Sequence, residues 1–486
     1  MKNNIIKTVL LAVAVFFATS CTESFLDFAP EGKLPEAEFF VTEAHADQAV
    51  VAAYAHMRTW SQVAFALYAI QEMPSDNALK GSVVGDAAFL NDYVYFNVTP
   101  NEGQVNDYWA SRYKGVNLCN QVIGKIDQTN TPEAKKERLL AEVKFLRAYY
   151  YFDLVRAFGD IPLVVSLDDA VGQASVRAPK EEVYNQIVAD LTDAVAGLPV
   201  AHDAQNTGRA TKGAAQALLA KVHLYLENWA EAASLTDQVI ASGQYQLMSN
   251  FWEIFRIAGE NNDESVFEIQ CPYDPGDWNL TNCQNAEPQG PRGDYGWGFN
   301  VPTDDLANAY DAAGDTIRKN ATIIYYGKAT PSGDVISGIG PNEMEGVVIP
   351  RYNGKVYSTM QERDELGWWC SWGANVRVLR YAEVLLINAE AKARSGNAGG
   401  AAAPLNLVRE RAGLPAIANP TVEQIINERR LELAMEGDRF FDLVRTGQAA
   451  SRLASFGFKP GKNEVFPVPQ NIIDMTNGTI TQNPGY

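Results

Sequence analysis

The chain has 486 residues, 47% of them apolar, and a formal charge of −19. Length alone permits about two to four domains, and the apolar share is enough to fill a large core. So acidic a surface repels phosphate backbones, which argues against nucleic acid as a partner and favours neutral ligands over polyanions.

The first segment has the layout of a secretory signal: Lys2 and Lys7, the apolar run 9–18, then Ala18-Thr19-Ser20 before Cys21. Ten apolar residues span about 15 Å as a helix, half of a ~30 Å hydrocarbon core, so a permanent membrane span is not expected. Cys21 resembles the cysteine at which bacterial lipoproteins are cut and acylated, although Ala18 stands where such a motif more often has Leu. An ordinary signal peptide with an incidental cysteine is the alternative. Acylation at Cys21 would supply the two or more tails that stable anchoring requires. The expected division is a signal peptide at 1–20, a lipid-anchored tether at 21–40 and a single domain at 41–486. Loss of the signal leaves 38 basic against 59 acidic residues, a charge of −21. The remaining cysteines, Cys119, Cys271, Cys283 and Cys370, are too few for a disulfide scaffold, although Cys271 and Cys283 lie close enough in sequence to pair.

Most of the domain reads as helix. Residues 41–70 and 105–127 carry spaced apolar positions, and "AEVKFLRAYYYFDLVRAFGD" (141–160) does so strongly, followed by Pro162 and a further helix over about 179–197. In 208–247, Leu218, Leu219, Val222 and Leu226 share a helical face, Glu227-Asn228 make a turn, and Trp229 opens a second helix ending near Ile240. In 376–414 the format repeats: Ala382, Leu385, Leu386 and Ala389, the turn Gly396-Asn397, then Leu405 and Val408. Small residues such as Ala220 and Ala389, seven before each turn, let paired helices approach closely. This is the tetratricopeptide pattern in degenerate, non-tandem form; a generic alanine-rich hairpin is the plainer reading. The predicted fold is mainly α, with such pairs in 41–265 and 376–486.

Residues 266–375 lose that periodicity. Positions 271–300 hold five glycines and four prolines, and six of the nine tryptophans fall between 252 and 372. A solvated linker would not carry Trp278, Trp297, Trp368, Trp369 and Trp372, so these rings either plug an irregular core or line a recognition surface. Residues 421–446 open on a capping-box pair, Thr421 and Gln424, and interleave charges from Glu428 to Arg445 with apolar residues. A helix held by Arg–carboxylate pairs explains that mixture better than acid–base catalysis.

"NERRLELAMEGDRFFDLVRTG" (427–447) and the ending "FPVPQNIIDMTNGTITQNPGY" (466–486) resemble signatures of the SusD/RagB family. "LRAYYYFDLVRAFGDIPLV" (146–164), "RYAEVLLINAEAKAR" (380–394) and "CTESFLDFAPEGK" (21–33) are similar to it too, so the resemblance spans the mature chain. Met435 and Asp438 depart from it, standing where Phe and His are often seen. The resemblance implies an outer-membrane lipoprotein facing outward. Such a protein caps a SusC-like TonB-dependent transporter and delivers nutrients to it, glycans in many members and peptides in a RagB-like minority, without catalysis.

Sugars present C–H faces to flat rings and hydroxyl edges to carboxylates, amides and guanidinium groups. The candidate platforms are Trp278, Trp297 and Tyr295, with Tyr273 and Trp368 behind them. Asp76 and Asn77 in "QEMPSDNALKG" (71–81) are the candidate polar contacts, partly on the family resemblance; equally, they suit a turn that satisfies its own backbone donors. No cofactor or metal is expected: His45, His56, His202 and His223 lack ligand spacing, and no nucleophile elbow, P-loop or calcium loop occurs. A helical-repeat adaptor that binds only proteins is the remaining alternative.

Overall fold

The computed structural model describes residues 40–273, 283–338, 343–367 and 373–486. Its frame is a row of antiparallel helices, α1 (Glu43–Met57), α3 (Gly103–Lys125), α4 (Glu133–Phe158), α5 (Lys180–Gly197), α6 (Lys212–Tyr225), α7 (Trp229–Ala241), α9 (Tyr381–Arg394) and α10 (Ala398–Arg411). A short helix, α2 (Phe65–Gln71), packs against α3.

The central rod is α4. It starts behind Pro132, whose fixed φ suits helix entry, and stops at Gly159, which sits at φ +71°. From Leu139 to Phe158 almost every residue is buried, so this helix has no solvent face for most of its length. Each fully buried Leu, Val or Phe there contributes about 1.5–3 kcal/mol of burial energy. Its buried charges are all matched. Arg147 donates to both carboxylate oxygens of Asp190 on α5 at 2.7 and 2.8 Å, and Asp153 meets Arg112 on α3 at 3.3 Å.

The two tetratricopeptide-like pairs are α6–α7 and α9–α10. Ala220 and Leu224 of α6, Ala232 of α7, and Ile387 and Ala391 of α9 form one dry cluster, where the small side chains bring three helices together. Asn388 adds a hydrogen bond to Thr236 at 2.9 Å. Thus α7 docks on α9 although residues 242–380 intervene. The helix row is continuous in space where it is broken in sequence.

The intervening segment leaves and re-enters through an antiparallel strand pair. β2 (Ser265–Ile269) pairs with β6 (Val376–Arg380) in the register Ser265↔Arg380 and Ile269↔Val376. Within the segment β4 (Ile323–Tyr325) pairs with β5 (Arg351–Asn353), and β3 (Phe299–Pro302) pairs with β1 (Ala78–Gly81), which comes from the N-terminal part of the chain. The segment has its own core, in which Phe251, Trp252, Phe255, Ile324, Tyr352 and Tyr357 take part. It also holds α8 (Asp304–Ala313), N-capped by Thr303 and closed by left-handed Gly314, so helix recurs inside a stretch the sequence marks as irregular. Cys271 and Cys283 are joined by a disulfide.

The C-terminal third begins with α11 (Val422–Glu432), whose capping box forms: Thr421 Oγ accepts from Gln424 N at 3.2 Å, and Gln424 Oε1 from Thr421 N at 2.9 Å. α12 (Arg439–Arg445) follows. Its charges are buried and paired, as interleaved Arg and Glu suggest. Glu432 is shared by Arg318, Arg380 and Arg411, and Glu390 accepts both guanidinium nitrogens of Arg445 at 2.7 and 2.8 Å. Burial opposes ionisation of Glu390, but Arg445 outweighs it and holds the carboxyl down at about 2. No helix among the described residues is long and apolar enough to cross a membrane.

Candidate functional site

The turn 290–298 is built for close approach. A Cβ at Gly296 would collide with the Gly290 backbone, and one at Gly81 with the Gly298 carbonyl. This tight path brings Trp297 onto Phe65 of α2 and onto Trp60, which precedes α2 in sequence. The Trp60 and Trp297 rings lie 5.9 Å apart, and Phe65 packs edge-on to Trp297 at 6.0 Å and to Phe299 at 5.2 Å. Both indoles are half-buried, and Trp297 packs against the main core.

Polar groups flank the indole pair. Arg292 reaches Asp86 at 2.5 Å and Ser82 Oγ at 2.7 Å, and both ends of this ion pair are partly exposed. On the other side Tyr295, 38% exposed and at φ +65°, has the Arg363 guanidinium 4.3 Å from its ring centre. Arg363 is itself fixed by Asp294 at 2.8 Å and the Tyr357 hydroxyl at 2.7 Å. Tyr273 donates its hydroxyl to the Leu366 carbonyl, so Tyr273 and Tyr295 both border the short helix Met360–Leu366. The result is a half-exposed surface of rings with guanidinium and carboxylate groups at its margins. That is the donor set for the faces and edges of a neutral polyhydroxylated ligand.

The candidate residues named from the sequence fare differently. Trp297, Tyr295 and Tyr273 are brought to this surface region, whereas Trp278 and Trp368 lie outside the described residues. Asp76 and Asn77 are 3% and 0% exposed. Asp76 accepts from Arg439 through both oxygens at 2.7 and 2.8 Å and also meets Arg452 at 2.8 Å. Burial alone would raise its pKa, but Arg439, Arg430 and Arg452 outweigh it and hold the carboxyl well below the usual range. Asn77 Oδ1 accepts from Arg430 at 2.9 Å. This pair therefore fastens the loop before β1 to α11 and α12, and its reading as ligand contacts gives way to a structural one. Sequence reasoning missed Trp60, Arg292 and Arg363. Trp60 falls outside the tryptophan-rich window, and the two arginines sit in loops without motif.

The comparisons with known proteins follow the same outline. A family model described as starch-binding and associating with the outer membrane matches residues 24–224, and one described as the SusD family matches residues 371–486. The chain belongs to the SusD/RagB family. A SusD-like protein of Bacteroides ovatus is 28% identical over 465 residues, covering 90% of this chain and 82% of its own. Among solved structures, a laminarin-binding SusD-like protein is 29% identical with a TM-score of 0.79, covering 92% of this chain and all of its own. Surface glycan-binding protein A of Bacteroides thetaiotaomicron, in complex with laminarihexaose, is 27% identical with a TM-score of 0.79, covering 91% and 100%. In this SusD/RagB member the rings Tyr273, Tyr295 and Trp297 all lie between the two matched segments.

Proposed function

We propose that this protein is a non-catalytic, glycan-binding lipoprotein of the outer surface, anchored through acylated Cys21 once the signal at 1–20 is removed. It captures oligosaccharide and passes it to a SusC-like TonB-dependent transporter. The observation that carries the reading is the half-buried Trp60–Trp297 pair with Tyr295, Arg363 and the Arg292–Asp86 pair beside it. Indole faces held rigid by a core cover sugar C–H faces at little entropic cost, and charged groups at the rim serve the hydroxyls. Two structural relatives named for laminarin or its hexaose support oligosaccharide as the ligand class. The domain reading is one unit over 41–486, with the ligand side in 266–375.

Isothermal titration with laminarihexaose, followed by a wider glycan array, tests the reading on protein that begins after Cys21. Saturable binding that Trp297→Ala weakens at least tenfold is expected, with no new reducing ends released from the same glycans. Release of reducing ends, or binding of peptides and no glycan, would overturn it. Incorporation of labelled fatty acid that Cys21→Ser abolishes tests the anchor.

A further inference from the structure

Behind the ring surface, where the helical frame meets the intervening segment, lies a chamber of about 80 Å³. A buried water needs roughly 10–15 Å³ of such space, so the chamber has room for an ion together with several waters. Its wall draws on the end of α2, on the loop 435–437 between α11 and α12, on β3, and on the segment around Lys355 and Glu362.

Three side chains on this wall are buried and unpartnered. The Tyr68 hydroxyl, Glu72 Oε1 and Asn300 Oδ1 have no hydrogen-bond partner among the described residues, and their residues are only 3%, 2% and 1% exposed. All three atoms are oxygens. Two are held in place by their sister atoms: Glu72 Oε2 accepts from Gly437 N at 2.6 Å, and Asn300 Nδ2 donates to Gln289 Oε1 at 2.7 Å. The backbone around them is constrained too, because Met435 at φ +66° and Asn300 at φ +51° both lie in the left-handed region. Such strain in non-glycine residues persists where the surroundings over-determine it, as at ligand clamps.

Glu436 on the wall is paired with both Lys355 and Arg380, whereas Glu72 has no ion pair among the described residues. Glu72, Glu362 and Glu436 face Lys355 and Arg377. The Lys355 ammonium is committed to Glu436 at 2.6 Å and the Glu432 carbonyl at 2.8 Å, and Arg377 to the carbonyls of Ile254, Asn375 and Arg256.

We propose that this chamber binds one monovalent metal cation of the sodium or potassium class through Glu72 Oε1, the Asn300 side-chain carbonyl and the Tyr68 hydroxyl, with water completing the shell. Hard oxygen ligands suit such an ion, and one carboxylate balances one charge; calcium or magnesium sites draw on more. The ion would tie α2, the 435–437 loop and β3 together. The inference does not depend on the glycan reading, because none of these groups lies on the ring surface.

The test is thermal unfolding of the whole mature protein at pH 8.5, with sodium or potassium chloride exchanged against choline chloride at fixed ionic strength. The expected result is a saturable rise in Tm of about 2 °C or more with the metal ions only. In Glu72→Gln, which no longer buries an ionisable carboxyl, the protein should stay folded in choline chloride and the rise should vanish. Sodium-23 line broadening by the wild-type protein, relieved by potassium, gives an independent readout that needs no variant. Equal effects of choline and sodium, a response that survives in Glu72→Gln, or absence of sodium-23 broadening would each overturn the proposal and leave a chamber filled by water alone. Saturation by micromolar calcium would overturn the choice of ion.

Discussion

Asp76 and Trp297 are the two kinds of residue a sequence offers for recognition, a charge and a ring, and the fold treats them oppositely. The region around Asp76 is a closed lattice of ions: α11 and α12 bring Arg430 and Arg439 onto the 71–81 loop, and the Asp76 carboxylate has several cationic partners there. The region around Trp297 is half open, with two indoles that pack on each other and are each only partly buried. Buried charge must be matched almost completely or it unfolds the protein, so charge density in this chain marks architecture. A partly buried ring loses little by remaining partly exposed, so rings are where binding and stability can coexist.

The sharpest way to break this contrast is to remove one carboxylate from the lattice. Glu432→Ala leaves Arg318, Arg380 and Arg411 short of a shared partner and should cost about 3–5 kcal/mol in chemical denaturation. Asp76→Ala belongs to the same class, and the protein that still folds should bind glycan as the wild type does. Lost binding in folded Asp76→Ala would return that residue to the ligand. Acid provides the next largest effect. Because the folded pKa of Glu390 lies below its ordinary value of 4.5, its stabilisation is present above pH 4.5 and is lost as pH falls through about 2. That loss is roughly 3 kcal/mol, and Glu390→Gln should flatten the acid limb of the stability–pH curve. Glu72 runs the other way, since a folded pKa raised to about 8 makes its ionisation destabilising as pH rises from 4.5 through 8.

Trp297→Ala sits between the two regimes. Were the ring wholly exposed, the substitution would leave Tm unchanged, but its contacts with Trp60 and Phe65 imply a stability loss of about 1–2 kcal/mol alongside at least a tenfold loss of glycan affinity. Loss of stability with affinity intact would make Trp297 a core residue only. Tyr295→Ala is expected to have the smallest effect on folding, about 0.5 kcal/mol, because the residue is 38% exposed and its ring stacks with a guanidinium. A measurable fall in affinity with so small a fall in stability would sharpen the contrast most cleanly.

Much of the frame could be read from the residues. Helical spacing, the turns at Glu227-Asn228 and Gly396-Asn397, and the Thr421–Gln424 capping box are local signals, and each appears where it was expected. The role of Asp76 was not legible, because its arginines lie more than 350 positions away and an "SDN" turn looks the same whether or not a guanidinium covers it. Trp60 stayed hidden for a related reason: its partner Trp297 is brought to it only by the path of the 290–298 turn. The chamber oxygens were equally invisible, since Tyr68, Glu72 and Asn300 become notable only once their neighbours fail to satisfy them.

The strand clasp between β2 and β6 has an evolutionary consequence. Because Ser265 and Arg380 stand side by side, the chain leaves the helical frame and returns to it at one place, like the neck of a tool head on its handle, while β1–β3 and the Arg318–Glu432 pair brace the segment elsewhere. Closing a loop twice as long costs only about 0.6 kcal/mol more, so residues can be gained or lost between the strands with little penalty to the docking of α7 on α9. Appetite can change in such a molecule while the handle keeps its grip.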